Sequence, residues 1–377
     1  MSAYHQMGHD SQNLLGEVSG YRGAIVSPVN ETESDALAMI AEHGSDTFEF
    51  ILDPQLYFPQ RGDRGQLSSW NYFPSDFDTA DMSSAAWWRP ICEKLAATGV
   101  RLDAKAICSP ALYSEAALTN EYYEAMRGHA STLVATIPSG GPRVLQTVLV
   151  RLADLTERKR VQEIASVVSS TKAEGVYLVF LSDVKPRLEI RNEEQLKGAM
   201  RLIAALEKSS LPVLVGCCST DVVLWKAAGA TSCATGKFAN LRRFTPGRFG
   251  DSEDGGKNMA YWLEDALIAF IRGSDIARIQ PHGMGAPGDN PFCAKILAQF
   301  ASDPGKPWVG LGWRQYMAWF ANMEHRLSMD PTQAKALIRA AEKRWATLEG
   351  EDVFMEEKHN DGEWLRPWLR AVVEFST

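Results

Sequence analysis

The sequence predicts an α/β fold, a (β/α)8 TIM-like barrel with a C-terminal helical appendage. Three observations lead there. Eight short runs of apolar, often β-branched residues recur near 23–27, 47–52, 104–108, 132–136, 144–150, 176–182, 212–217 and 230–235. Most are separated by segments with helical spacing of apolar residues, the pattern of strand and crossover helix. The chain's 377 residues also exceed the roughly 250 of a single barrel, which leaves room for an appendage.

Residues 1–20 are polar, carry His5 and His9 and show no period, so they are expected to form a flexible arm. Residues 21–272 then make the barrel, with a long insertion at 54–100. Thr32 and Asp35 stand at capping-box spacing before Ala36, Leu37, Met39 and Ile40, which predicts a helix over 32–42. Val161, Ile164, Ala165 and Val168 stripe a second helix over 157–171, and Leu196, Met200, Ile203 and Leu206 a third over 193–208. A buried strand at 212–216, a helix over 221–228 ended by Gly229, and a strand at 230–235 follow, leading to a basic loop with Arg242 and Arg243. Residues 258–272 read as an eighth helix. Residues 273–312 are rich in Pro and Gly and read as irregular, and 313–327 and 331–347 as packed helices of an appendage spanning 273–377.

Composition limits the function. A net charge of −8 argues against a protein that coats nucleic acid, although a local basic loop could still grip phosphate. The six cysteines show no disulfide framework and no C-x2-C pair, so neither structural zinc nor another metal is expected, and no cofactor is implied. No apolar run reaches the length of a membrane span, and a cytoplasmic protein without membrane contact is expected. A homodimer is compatible with all of this.

Barrels carry their chemistry at the C-terminal ends of strands. Those positions hold Asp53 and Gln55, Cys108 and Ser109, Gln146 and Arg151, Ser182 and Asp183, Cys217 and Cys218, and Cys233 to Thr235. Asp, Gln and Ser suit a pocket that reads the edge of a polar heterocycle. Each residue has a plainer reading. Asp53 before Pro54 would cap a turn, Asp183 would join a solvated cluster with Lys185 and Arg187, and the cysteines would be small buried hydrophobes. Gln146 lies in an apolar run, where burial would demand partners. In the long insertion Trp70, Tyr72, Phe73 and Phe77 would either cover the barrel mouth or stack on a base.

Val215-Gly216, Asp221, Gly229-Ala230 and Arg242-Arg243-Phe244-Thr245 follow an order that resembles the late barrel of tRNA-guanine transglycosylases. Phe50-Ile51-Leu52-Asp53 with Tyr57 and Arg61-Gly62 resembles an early segment of that family, and Trp313 to Leu327 its closing helices. The resemblance implies a pocket for guanine or a 7-deazaguanine, with Gln146 as the base-reading glutamine. Cys108, Ser109, Ser182, Asp183, Gly216 and Cys217 would complete the base site, Arg242 and Arg243 would meet a phosphate or an acidic partner, and Trp70, Tyr72 and Phe73 would form a lid.

The departures bear on chemistry. The family's nucleophilic aspartate falls on Ala234, its Asp-Ser-Gly-Gly motif on Cys108-Ser109-Pro110-Ala111, and its zinc-binding cysteines are missing. Alanine offers no lone pair for covalent glycosyl chemistry. The resulting expectation is a transglycosylase-like protein that binds a 7-deazaguanine-type base, free or on a macromolecule, without the ordinary exchange. Divergent relatives are associated with DNA modification and anti-phage defence, and that role is implied by the resemblance alone. Two alternatives stand beside it: an enzyme in which Asp53 or Asp183 is the nucleophile or base, and a scaffold that binds a protein partner.

Overall fold

The computed structural model describes residues 2–58, 65–75, 82, 84–249, 259–303 and 305–375. Its centre is a closed parallel barrel of β1 (Ala3–Gln6), β2 (Tyr21–Val26), β3 (Glu49–Leu52), β4 (Ala106–Cys108), β5 (Arg143–Arg151), β6 (Gly175–Leu181), β7 (Val213–Gly216) and β8 (Ser232–Thr235), paired in that order with β8 closing on β1. Between them run α1 (Glu33–His43), α2 (Ala85–Arg101), α3 (Asn120–Thr136), α4 (Arg158–Ser169), α5 (Glu193–Lys208) and α6 (Val222–Ala227). A hairpin follows, β9 (Trp262–Glu264) and β10 (Ala269–Ile271), and then α7 (Gly273–Ile279), α8 (Cys293–Ser302), α9 (Val309–Met329), α10 (Gln333–Gly350) and α11 (Leu365–Phe375).

The N-terminal segment differs from the sequence expectation. Ala3–Gln6 is fully buried and seals the barrel between β2 and β8, so the described residues 2–20 of the expected 1–20 arm are not a loose arm. A four-residue strand is too short to show a period, and its polar members His5 and Gln6 conceal it. Conversely, residues 132–136 end α3 and make no strand. Much of the 54–100 insertion is the crossover helix α2, while Arg61, Gly62 and Phe77 lie outside the described residues.

Helices over 32–42, 157–171, 193–208 and 221–228 form where the sequence places them. Thr32 accepts from the Asp35 amide and Asp35 accepts from the Thr32 amide, a reciprocal cap for α1. On α5, Leu196, Met200, Ile203 and Leu206 are all buried, each burial worth about 1.5–3 kcal/mol.

The described part of the 258–272 segment makes a hairpin in place of the expected helix. The Gln315 side chain on α9 acts as a neighbouring strand would: Oε1 accepts from the Leu263 amide at 3.0 Å and Nε2 donates to the Leu263 carbonyl at 2.7 Å. That satisfaction comes from 52 residues away and leaves no local signal. The 273–312 connection is also more regular than expected, since it contains α7 and α8. The buried ion pair Lys226–Glu324, 3.0 Å apart, joins α6 to α9 and fixes the appendage on the barrel wall.

Parallel register settles which residues face inward. Tyr177 pairs with Thr147 on one side and Leu214 on the other, and its hydroxyl donates to Gln6 Oε1 at 2.9 Å. Gln6 in turn pairs with Ile25, and Ile25 with Ile51. In-register partners share a face, so this ring lies inside the barrel, and side chains one residue along point to the helices.

Candidate functional site

The barrel interior is closed at its C-terminal mouth. Asp53, two residues beyond inward-facing Ile51, accepts from the Tyr57 hydroxyl at 2.9 and 3.1 Å and from the Gln55 amide at 3.0 Å. Tyr57 packs edge-on against Phe244 and Phe249, with ring centroids 5.3 and 5.1 Å away. Phe244 is brought there by a single bridge to Leu181, which draws the loop after β8 across the mouth. Tyr113 and Phe58 extend the same aromatic layer. Burial raises the Tyr57 phenol well above its ordinary range, and the Asp53 carboxylate raises it further. The phenol therefore stays protonated as the donor to Asp53.

Most residues of the expected base site are consumed by this architecture. Gly216 leaves room for Tyr177: a Cβ there would stand 2.6 Å from the tyrosine ring. Ser109 Oγ accepts from the Thr147 amide at 3.0 Å, tying β4 to β5. Cys108 is buried among interior side chains, and burial holds its thiol far above the usual range. Ser182 accepts from the Val184 amide in a local turn. Cys217 is half-buried with φ of 55° and does not line the cleft described below. Ala234 is an inward position of β8, fully buried, where its carbonyl accepts from Cys218.

Gln146 departs furthest from expectation. It pairs with Val176, one residue before the inward Thr147–Tyr177 pair, and so faces the helix layer. It is fully buried, and neither amide atom has a hydrogen bond among the described residues. Trp70, Tyr72 and Phe73 likewise pack over the helix-side core with Trp88 and Leu52. Trp70 Nε1 donates to the Glu31 carbonyl at 2.9 Å and the Tyr72 hydroxyl to that of Pro54 at 3.3 Å, so both rings are fixed cover and form no lid.

The accessible site lies off the barrel axis. A cleft of about 2020 Å³ opens between the loops after β1, β2, β6, β7 and β8 on one side and the β9–β10 hairpin, the start of α9 and residues 357–364 on the other. Asp183 and Lys185 stand exposed on its rim, and Glu189, Lys237 and Arg242 lie deeper. Tyr261, Phe270, Phe238 and Trp313 supply aromatic surface. The far wall is held by Arg191, which pairs with Asp361 and Glu363 at 2.8 Å, and by Tyr261, whose hydroxyl donates to Glu357 at 2.6 Å.

Charge at the floor is arranged in two groups. Arg243 lies 3.9 Å from Glu189 and 3.7 Å from Asp221, and its Nη2 donates to the Leu188 carbonyl at 3.1 Å. The Thr220 hydroxyl donates to Glu189 Oε1 at 2.6 Å. One guanidinium thus serves two carboxyls. Burial raises both, Glu189 to about 7, while Arg243 pulls them back. Arg242 instead lies 3.7 Å over the Tyr316 ring and 4.5 Å over Phe270, with Nε and Nη2 on the carbonyls of Gly236 and Lys237. Of the two expected phosphate contacts, then, Arg242 lines the cleft and Arg243 stands behind Glu189.

Glu189 and Lys237 were not among the sequence candidates. Glu189 sits well past its strand in a loop where Asp183, Lys185, Arg187 and Glu189 alternate as surface charge would. No group of His, Cys, Asp and Glu among the described residues could hold a metal ion, and no helix is long and apolar enough to cross a membrane.

No family model and no curated protein matches the chain. Among solved structures it is similar to a glycosyl hydrolase of the GH3 family from Mycobacterium smegmatis (10% identity, 84% of this chain and 94% of that one, TM-score 0.41). It is also similar to LpqI of Mycobacterium tuberculosis (12% identity, 85% and 91%, TM-score 0.38). A third is N-acetylneuraminate lyase of Proteus mirabilis (11% identity, 98% of each chain, TM-score 0.33). At such values these likenesses assign neither a family nor an activity.

Proposed function

We propose that this chain is a ligand-binding barrel that takes a 7-deazaguanine-type base, free or as part of a conjugate, in the off-axis cleft, without exchange through an aspartate nucleophile. The base class rests on the transglycosylase resemblance. The observation that supports a binding role is the cleft itself: aromatic walls of Tyr261, Phe270, Phe238 and Trp313 over a floor carrying Glu189. A flat heterocycle can stack on such rings, and a carboxyl accepts from the adjacent N–H groups of a guanine-type edge. In this reading Glu189 takes the part that the resemblance gave to Gln146. Ala234, buried in β8, offers no nucleophile.

A second reading, an enzyme with rewired carboxylate chemistry, is favoured by Glu189 alone, which lines the cleft and whose carboxyl is pushed up by burial to about 7. Asp53 is locked under the aromatic layer by Tyr57, and Asp183 stands in solvent on the rim. Calorimetric titration of the purified chain with guanine and a panel of 7-deazaguanines tests the proposal. Binding that Phe238→Ala or Tyr261→Ala weakens supports it, and silence with the whole panel refutes it for free bases.

A further inference from the structure

Two cations of the cleft, Lys237 and Arg242, form no close ion pair among the described residues. Lys237 is 4% exposed and Arg242 is 8% exposed, and among the described residues neither has an acidic side chain within ion-pair distance. This stands out in a chain of net charge −8, because buried charges are ordinarily paired. Asp10 acts on Lys237 and Glu189 on Arg242 only at longer range, and the nearby acids make their close contacts with other groups. Asp10 lies 3.0 Å from His9, Glu17 engages Arg314, Asp361 engages Arg191, and Glu357 accepts from Tyr261 and lies 3.4 Å from His359. Glu189 accepts from Thr220 through Oε1 and lies 3.9 Å from Arg243 through Oε2.

Donors remain available on both cations. Among the described residues Lys237 Nζ gives one hydrogen bond, to the Asp10 carbonyl at 2.9 Å, out of three protons. It is held in place by the rings of Phe238 and Trp313, 4.8 and 5.0 Å from their centroids. Arg242 spends Nε and Nη2 on backbone carbonyls and lies flat on Tyr316, which leaves Nη1 without a hydrogen bond among the described residues. Both residues come from the loop after β8 and are linked through the Lys237 carbonyl. Barrels commonly seat phosphate on the loops after strands seven and eight.

We propose that Lys237 and Arg242 form an anion subsite at the β8–β1 end of the cleft that holds the phosphate of a phosphomonoester, so that the base enters as a mononucleotide. This rests on the reading of the cleft as a nucleobase site. Charge chooses phosphate over carboxylate, since a phosphomonoester brings about −1.5 to −2 near neutrality and two fixed cations await it. Size agrees, because the cleft exceeds the roughly 300–1,000 Å³ of ordinary small-ligand sites and accommodates base, sugar and phosphate together.

The test is calorimetric titration of the full chain, at fixed ionic strength, with 7-deazaguanosine 5′-monophosphate, 7-deazaguanosine and inorganic phosphate. The monophosphate is expected to bind at least about tenfold more tightly than the nucleoside. Lys237→Met is expected to erase that difference and Lys237→Arg to keep most of it. Equal affinity of the wild type for nucleoside and monophosphate overturns the subsite and leaves the base reading standing. Phosphate binding that depends on Lys237, with no response to the nucleoside, upholds the subsite and refutes the base reading. No heat from any of the three refutes both. If Lys237→Met does not fold, the wild-type ratio of monophosphate to nucleoside decides alone.

Discussion

Tyr177 reaches across the barrel to Gln6, its hydroxyl 2.9 Å from Oε1, through space that exists because residue 216 is glycine. One side chain therefore fills the space beside Gly216, a residue that the resemblance gave to the base site. Tyr177→Phe strands a buried amide oxygen and is expected to cost about 1–3 kcal/mol. Gly216→Ala drives a methyl into the ring at a similar cost, about 1–3 kcal/mol. Urea denaturation measures both, and unchanged midpoints would show that the interior is open.

The bond between Lys226 and Glu324 predicts that the appendage is integral to the barrel. The two side chains are 4% and 0% exposed, so removing one partner leaves a buried charge. Lys226→Met should destabilise by about 3–5 kcal/mol and lower the melting temperature of the whole chain in one transition. Two separate transitions would mean that barrel and appendage unfold independently.

Stability should fall as pH rises through the range set by Glu189. Its folded-state value is about 7 against an ordinary 4.5, because burial disfavours the charged form. Between those values the folded chain holds a proton that the unfolded chain has released, so the stabilising contribution is complete below pH 4.5 and lost by about pH 7. Full expression of the shift corresponds to about 3 kcal/mol, and Asp221 acts in the same direction. Denaturation at stepped pH should show this slope in the wild type and a shallower one in Glu189→Gln. Parallel profiles would remove Glu189 from the account.

Trp70 offers a test of the lid expectation. As a buried residue bonded to the Glu31 carbonyl, it should cost about 3–5 kcal/mol on replacement by alanine. Loss of ligand affinity from Trp70→Phe at unchanged stability would instead restore a stacking role.

The barrel was legible because its crossover helices carry wide apolar stripes, as α5 does with Leu196, Met200, Ile203 and Leu206, and because β5 to β7 are apolar runs rich in β-branched residues. Two errors cancelled in the strand order: β1 was hidden by His5 and Gln6, while the apolar end of α3 was counted as a strand. The site was less legible, for geometric reasons. Whether Gln146 faces the cleft or the helices depends on a register set by β6, and a single residue reverses it. The roles of Lys237 and Glu189 depend on partners brought from the loop after β1, from α9 and from the loop after β7. Arg242 was singled out from its place after the last strand, and the structure puts it in the cleft.

The central claim is that the ligand site is the off-axis cleft and not the barrel interior or its helix side. The most direct measurement compares 7-deazaguanine affinity, by calorimetry, in the wild type, Glu189→Gln and Gln146→Leu. The account expects affinity to drop at least about tenfold in Glu189→Gln and to stay unchanged in Gln146→Leu. The reverse pattern, with Gln146→Leu abolishing binding and Glu189→Gln leaving it intact, would contradict it.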